Sequence, residues 1–366
     1  MKKNKKFTAV LVGAMVASML ITGCGKKKDS KKAATTAEAA IDIKPIATME
    51  GSAEDITVIS RDGYIISDLT GEWIEEKYAN QKPFCIMINN ISDAMPQSGL
   101  SQAAVTYEIL VEGGITRFLC VFDQYDNIEK LGPIRSARVP YVELAKMYDG
   151  LFAHYGWSPT AQEMIEGDPS INSLNGIYLG DIMYYRSDDK PAPHNVFTNS
   201  ELIASGISNK GYNTQHSDNY EKMFSFNTKD KPLENGMPAN KVSTAFSSDR
   251  VPYFEYNAED GRYYRYQYGG PQIDAVTNEQ LSYKNVIVMM VEYTSDSDGY
   301  YRFVSWNNCN LNAYYFTDGQ YVLAKWKMEN GVPKFYNEDG SELKLNPGNT
   351  FITVFDYTIP ASVVIE

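Results

Sequence analysis

Val105-Thr106-Tyr107-Glu108-Ile109-Leu110-Val111, then Glu112-Gly113-Gly114, then Ile115-Thr116-Arg117-Phe118-Leu119-Cys120-Val121-Phe122, is the stretch on which the fold reading turns. Two β-branched and aromatic runs around a Gly-Gly step predict a β-hairpin. Upstream, Phe84-Cys85-Ile86-Met87-Ile88 follows Pro83 and reads as a buried strand. Downstream, Tyr141, Leu144, Ala145, Tyr148 and Leu151 recur at helical spacing, with Pro140 at the start and Gly150 near the end. A short strand over 151–155, a helical turn over 160–165 and a helix near 200–209 complete a mixed α/β domain over 65–212.

The texture changes after 241. Tyr263–Tyr268, Val286–Tyr293, Tyr300–Trp306, Leu311–Phe316 and Tyr321–Met328 are β-prone, and Asp-Gly or Asn-Gly steps at 298, 318, 330 and 339 punctuate this half. Such steps between strand-prone runs are strong hairpin signals. They predict a mainly antiparallel β domain, a sandwich or barrel, over 241–358. Polar residues 213–240 form the expected connection. The fold class is α+β.

The N-terminus places the protein in the cell. Lys2, Lys3, Lys5 and Lys6 precede an apolar run from Phe7 to Ile21, too short for a bilayer that needs about 20 residues. Ile21-Thr22-Gly23-Cys24 closes it as a lipobox, in which the Cys24 thiol is acylated and becomes the new N-terminus. Residues 1–23 are then a signal peptide, and 24–60 a polar tether too poor in aromatics to bury a core. Membrane attachment is through the lipid, on the outer face of the cytoplasmic membrane. Removing the signal leaves 30 basic against 46 acidic residues, net −16 from −12. So acidic a chain repels phosphate backbones, which excludes nucleic acid as a partner. Three histidines and four cysteines without zinc spacing point to no metal and no cofactor. Cys85 and Cys120 read as buried core; a disulfide between them is conceivable from sequence alone.

Candidate chemistry sits in turns. Arg135, Ser136 and Arg138 precede the helix that begins near Pro140, where guanidiniums and free backbone N–H groups suit a carboxylate or phosphate. Arg117 follows the hairpin turn, and Asn195 lies in Pro193-His194-Asn195. Alternatively, these arginines pair with Glu108, Glu112 or Asp181 in a buried ion network. Glu112, Asp181, His154 and His194 are the candidate acids and bases. Glu108 and Glu112 would lie about 13 Å apart along a strand, too far for a carboxylate dyad. His154 with Ser136 or Ser158 would make a nucleophile–base pair, but no Gly-x-Ser-x-Gly elbow is present. The arginines, His154 and His194 are expected to converge on one concave face. The tyrosines, Trp306 and Trp326 of the second half offer a carbohydrate platform or, more plainly, β-core area.

Met87-Ile88-Asn89-Asn90, Pro96-Gln97-Ser98-Gly99-Leu100, Tyr107-Glu108, Glu112 to Arg117, Gly132-Pro133-Ile134-Arg135-Ser136-Ala137-Arg138 and Pro193-His194-Asn195 together resemble the YerB-like lipoproteins of Gram-positive bacteria. Lys284–Val288, Tyr336–Gly340 and Leu345–Thr350 extend the resemblance over roughly 65–358. The chain departs from it at Tyr155 and Trp157, where His and Gly are expected. The resemblance implies paired domains of unknown function at the cell envelope. A protein binding an anionic or glycan ligand there, an envelope-polymer hydrolase, and a scaffold for envelope proteins are the three functions it leaves open.

Overall fold

The predicted hairpin is the centre of an eleven-stranded sheet in the computed structural model, which describes residues 60–307, 310–359 and 362–366. The signal, Cys24, the tether and Cys309 lie outside the described residues. The strands are β1 (Phe84–Asn89), β2 (Val105–Leu110), β3 (Thr116–Phe122), β4 (Leu151–His154), β5 (Asn172–Asn175), β6 (Met237–Pro238), β7 (Asn285–Val291), β8 (Leu311–Thr317), β9 (Gln320–Glu329), β10 (Val332–Asn337) and β11 (Thr350–Asp356). Their order is β6-β9-β8-β7-β11-β2-β3-β1-β4-β5, with β10 also on β9. Helices α1 (Val139–Met147), α2 (Pro159–Gly167) and α3 (Ser200–Lys210) belong to the first half.

Strand direction decides where loops gather. β11 is parallel to both β7 and β2, while β1, β4 and β5 are parallel to one another. β3 is antiparallel to β2 and β1, so all six of those strands run the same way. Their carboxyl ends therefore share one edge, the usual place for sites in such sheets. The β2–β3 turn lies on this edge. Gly113 and Gly114 take φ of +67° and +63° there, a conformation that side chains resist.

The two sequence halves meet within the sheet, at the β2–β11 pairing. Alternation along the strands builds two cores. Cys85, Met87, Leu119, Val121, Ile287 and Ile352 face one core with Tyr141 and Leu144 of α1 and Tyr148 at its C-cap. Phe84, Ile86, Ile88, Phe118, Cys120 and Phe351 face the other with Ile203 and Ile207 of α3 and with Val242, Phe254 and Tyr263. The last three belong to a second, six-stranded sheet formed by 241–244, 253–257, 262–267, 270–271, 282–283 and 363–365. The second half is thus layered sheet on sheet, with β7 and β11 as its parallel exception. The 213–240 stretch sends Met223 and Phe224 into the first core, where Phe224 stacks on Phe335 at 6.2 Å. Cys85 and Cys120 are both buried, free and on opposite faces, which rules out the disulfide between them. No helix among the described residues is long and apolar enough to cross a membrane.

Candidate functional site

Arg117, the second residue of β3, lies directly opposite Asn89, the last residue of β1. The segment 132–138 then runs along the same edge. Ile134 bridges Ile88, and the Arg135 N–H donates to the Met87 carbonyl at 3.1 Å. On the segment's other side, Tyr155 N–H donates to the Arg135 carbonyl and Ala137 N–H to that of Gly156, at 3.1 and 2.9 Å. Gly132 is required where the segment starts. A side chain there would meet the Val196 carbonyl at 2.8 Å, and φ is +149°. The run ends at Arg138, the N-cap of α1, so three arginines leave one edge from three backbone positions.

They share one carboxylate. Glu112 accepts from Arg117 Nη2 at 3.1 Å, from Arg138 Nε at 2.8 Å and from Arg138 Nη2. Arg117 also donates to the Ser136 carbonyl at 2.5 Å. Burial, then the nearby Arg138 charge, pushes Arg117 down to about 10. Burial alone would raise Glu112, but the Arg138 hydrogen bond and the charges of Arg117 and Arg138 hold it below the usual carboxylate range. Arg135 has no ion-pair partner among the described residues; its guanidinium donates only to the Pro193 carbonyl at 3.2 Å, and its Nε is buried without an acceptor. Burial and the Arg138 charge lower its pKa. The ion-network expectation therefore accounts for Arg117 and Arg138 and leaves Arg135 over.

His194 joins them, half-buried. Asn89 Nδ2 donates to its Nδ1 at 2.8 Å, and burial followed by the Arg135 charge lowers its pKa. Asn195 accepts from Arg186 at 2.7 Å. The expected convergence fails at His154. This residue is fully buried, with Nδ1 on the Gly156 carbonyl and Nε2 on Ser173 Oγ, each at 2.8 Å, and burial pulls its pKa down to about 4. Neither Ser136 nor Ser158 is its partner: Ser136 Oγ donates to the Tyr155 carbonyl, while Ser158 caps α2. Asp181 lies exposed in a separate helical turn. Both ring nitrogens of His154 are thus engaged, and no hydrogen bond or ion pair joins it to Glu112 or Asp181 among the described residues.

Sequence reasoning missed two contributions from the second half. Arg250 Nη1 donates to the carbonyls of Gly113, at 3.5 Å, and Gly114, and the Tyr301 ring lies 5.5 Å from the Arg138 guanidinium. It also missed the partner of Glu108. That carboxylate receives Arg265 Nη2 at 2.8 Å, Asn90 at 3.0 Å and Thr116 at 2.8 Å, all buried. A signal existed: in the alternating Tyr263–Gln267 run, Arg265 falls on the inward register with Tyr263 and Gln267. Within the cluster Arg117 is buried, while Glu112, Arg135 and Arg138 are partly exposed. Clefts of about 320 and 440 Å³ are lined by other residues, such as Asn312 and Lys325 in one and Asp123 and Asp126 in the other. Among the described residues no group of three His, Cys, Asp or Glu is placed to hold a metal.

Residues 69–213 match the N-terminal domain, and 242–352 the C-terminal domain, of the family described as protein of unknown function DUF3048. The chain is 32% identical over 304 residues to "Putative lipoprotein YerB" of Bacillus subtilis strain 168, covering 81% of this chain and 87% of that one. It belongs to the YerB-like, DUF3048 family. The crystal structure of the B. subtilis YerB protein superposes with a TM-score of 0.74 at 28% identity, covering 82% of this chain and 99% of that one. The boundary between the two family domains falls in the 213–240 stretch, and the two meet again where β2 pairs with β11.

Proposed function

We propose that this YerB-like protein is a lipid-anchored envelope lipoprotein that binds an oxyanion-bearing ligand on its arginine face. Acylation of Cys24 would hold it on the outer face of the cytoplasmic membrane. The observation that carries the reading is Arg135. Two neighbouring arginines share Glu112, while Arg135 stands beside them without an acidic partner, in a chain of net charge −12. A planar guanidinium presents two parallel donors, the geometry that carboxylates and phosphates accept. His194, kept neutral by burial and by Arg135, adds polar surface without competing charge.

Titration of the purified protein with inorganic phosphate, followed by a thermal melt, tests this. Arg135→Lys is expected to weaken binding about tenfold, because a point charge does not replace the fork. Its melting temperature should stay unchanged. A variant that melts earlier yet binds phosphate as the native protein does would make Arg135 structural and end the proposal.

A further inference from the structure

The carboxyl edge continues past the arginines onto β4 and β5. Trp157 follows β4, and Tyr178 sits in the one-turn helix Gly176–Leu179 after β5. Their ring centroids are 5.6 Å apart at an interplanar angle of 57°. Tyr178 is 66% exposed and its neighbour Ile177 58%. Segment 155–157 is hydrogen-bonded along 135–137, so the backbone that carries Trp157 runs beside the one that carries Arg135 and leads to Arg138. The Arg186 guanidinium lies 5.5 Å from the ring of Tyr155, two residues before Trp157.

The floor is polar. Asn175 is 2% exposed, and its Oδ1 accepts the N–H groups of Gly156 and Ile177, each at 3.0 Å. That fixes the amide between the backbones leading to the two rings. Its Nδ2 has no acceptor among the described residues, nor do Arg135 Nε and Arg117 Nε. A buried donor left unpaired is destabilising, so three of them at one edge need an explanation.

An exposed Tyr178 against a half-buried Trp157, a spare amide donor and arginines on the neighbouring segment match a sugar that carries an acid group. The C–H face of a pyranose packs on an aromatic face, its hydroxyl or acetamido oxygen takes an N–H, and its carboxylate or phosphate takes the fork. We infer that Trp157, Tyr178 and Asn175 form a saccharide subsite, and that the ligand of the arginine face is an acidic glycan unit. This inference rests on the anion reading above.

The test titrates the full chain in detergent with N-acetylmuramic acid, N-acetylglucosamine and inorganic phosphate, following tryptophan fluorescence and heat. N-acetylmuramic acid is expected to bind at least about tenfold more tightly than N-acetylglucosamine. Tyr178→Ala, at an exposed position, should weaken N-acetylmuramic acid about tenfold and leave phosphate untouched. Arg135→Lys should weaken both charged probes. If Tyr178→Ala leaves N-acetylmuramic acid affinity unchanged while phosphate still depends on Arg135, the saccharide subsite is refuted and the anion site survives. If both sugars bind alike, depend on Tyr178 and ignore Arg135, the anion reading fails and the acidic-glycan assignment falls with it. Failure of all three probes to bind overturns both. Loss of partitioning into phosphatidylglycerol vesicles in Tyr178→Ala, without sugar binding, would make the rings a membrane contact and also overturn the inference.

Discussion

Glu108 and Glu112 are four residues apart, one within β2 and one just beyond it, and each meets arginine. Around Glu108 the charges balance one to one. Arg265 lies across it, with Gln272 on its Nε at 2.7 Å and Gln267 on its Nη2 at 2.9 Å, and its guanidinium is 4.5 Å from the Phe351 ring. Asn90, Thr116, Gln97 and Gln272 close the network, and Glu108 and Arg265 are both fully buried. Around Glu112 two arginines share one carboxylate, and Arg135 stands beside them without an acidic partner among the described residues. The same chemistry is a joint in the first case and an unbalanced surface in the second. Counting charges around each carboxylate separates a lock from a candidate binding site, which the presence of arginine does not.

The joint can be broken outright by separating the halves. A chain ending at Asn213 leaves the β2 edge without β11 and exposes hydrophobic residues that pack against the second half. It is expected to lack fixed tertiary structure by near-ultraviolet circular dichroism. A folded, monomeric fragment would restore the independence that each half's own periodicity suggests. Next in size, Glu108→Gln leaves Arg265 buried without its counter-charge and should cost about 3–5 kcal/mol in urea unfolding. A cost below about 1 kcal/mol, a typical surface pair's, would place the joint elsewhere.

A smaller effect comes from pH. His154 lies below its ordinary 6.5, at about 4, because of burial, so its contribution is complete above pH 6.5 and is lost as pH falls toward 4. Glu143 is raised by burial to about 7, against an opposing hydrogen bond from Trp306. Its contribution is complete below pH 4.5 and is lost as pH rises through 7. The two slopes oppose, each worth about 3 kcal/mol at most. Glu143→Gln should therefore gain stability over the native chain above pH 7 while keeping the acid-side loss. A variant that follows the native pH profile throughout would show that Glu143 does not titrate as described. Smallest of all, Arg135→Lys should alter stability by less than about 0.5 kcal/mol, in contrast to Glu108→Gln.

Much of this was legible locally. The Gly-Gly hairpin, the Pro140 helix and the 132–138 turn each carry their own period or turn chemistry, and the structure places each close to where the sequence does. Pairings across the chain were not legible. Nothing near Glu108 announces Arg265, and nothing near Gly99 announces Asp274, whose buried carboxylate accepts the Gly99 and Ser101 N–H groups at 2.8 Å each. Strand partners are chosen by side-chain fit over long separations, which leaves no repeating local signal. His154 shows the converse. A histidine beside Gly-Trp-Ser reads as reactive, and only the Ser173 hydroxyl and the Phe152 ring, 4.9 Å from its own, reveal it as core.

The place of β11 sets an order of assembly. It is near the end of the chain, yet it lies between β7 and β2, with Thr350 paired to Val105 and Val354 to Ile109. Until it arrives, the hairpin presents a bare strand edge, and unpaired edges recruit other chains. Contacts closed over such separations form late and slowly. A ribosome that releases this polypeptide from its N-terminus therefore delivers the keystone after both of the strands it must join. The β2 edge is open to misassembly until residues 350–356 emerge.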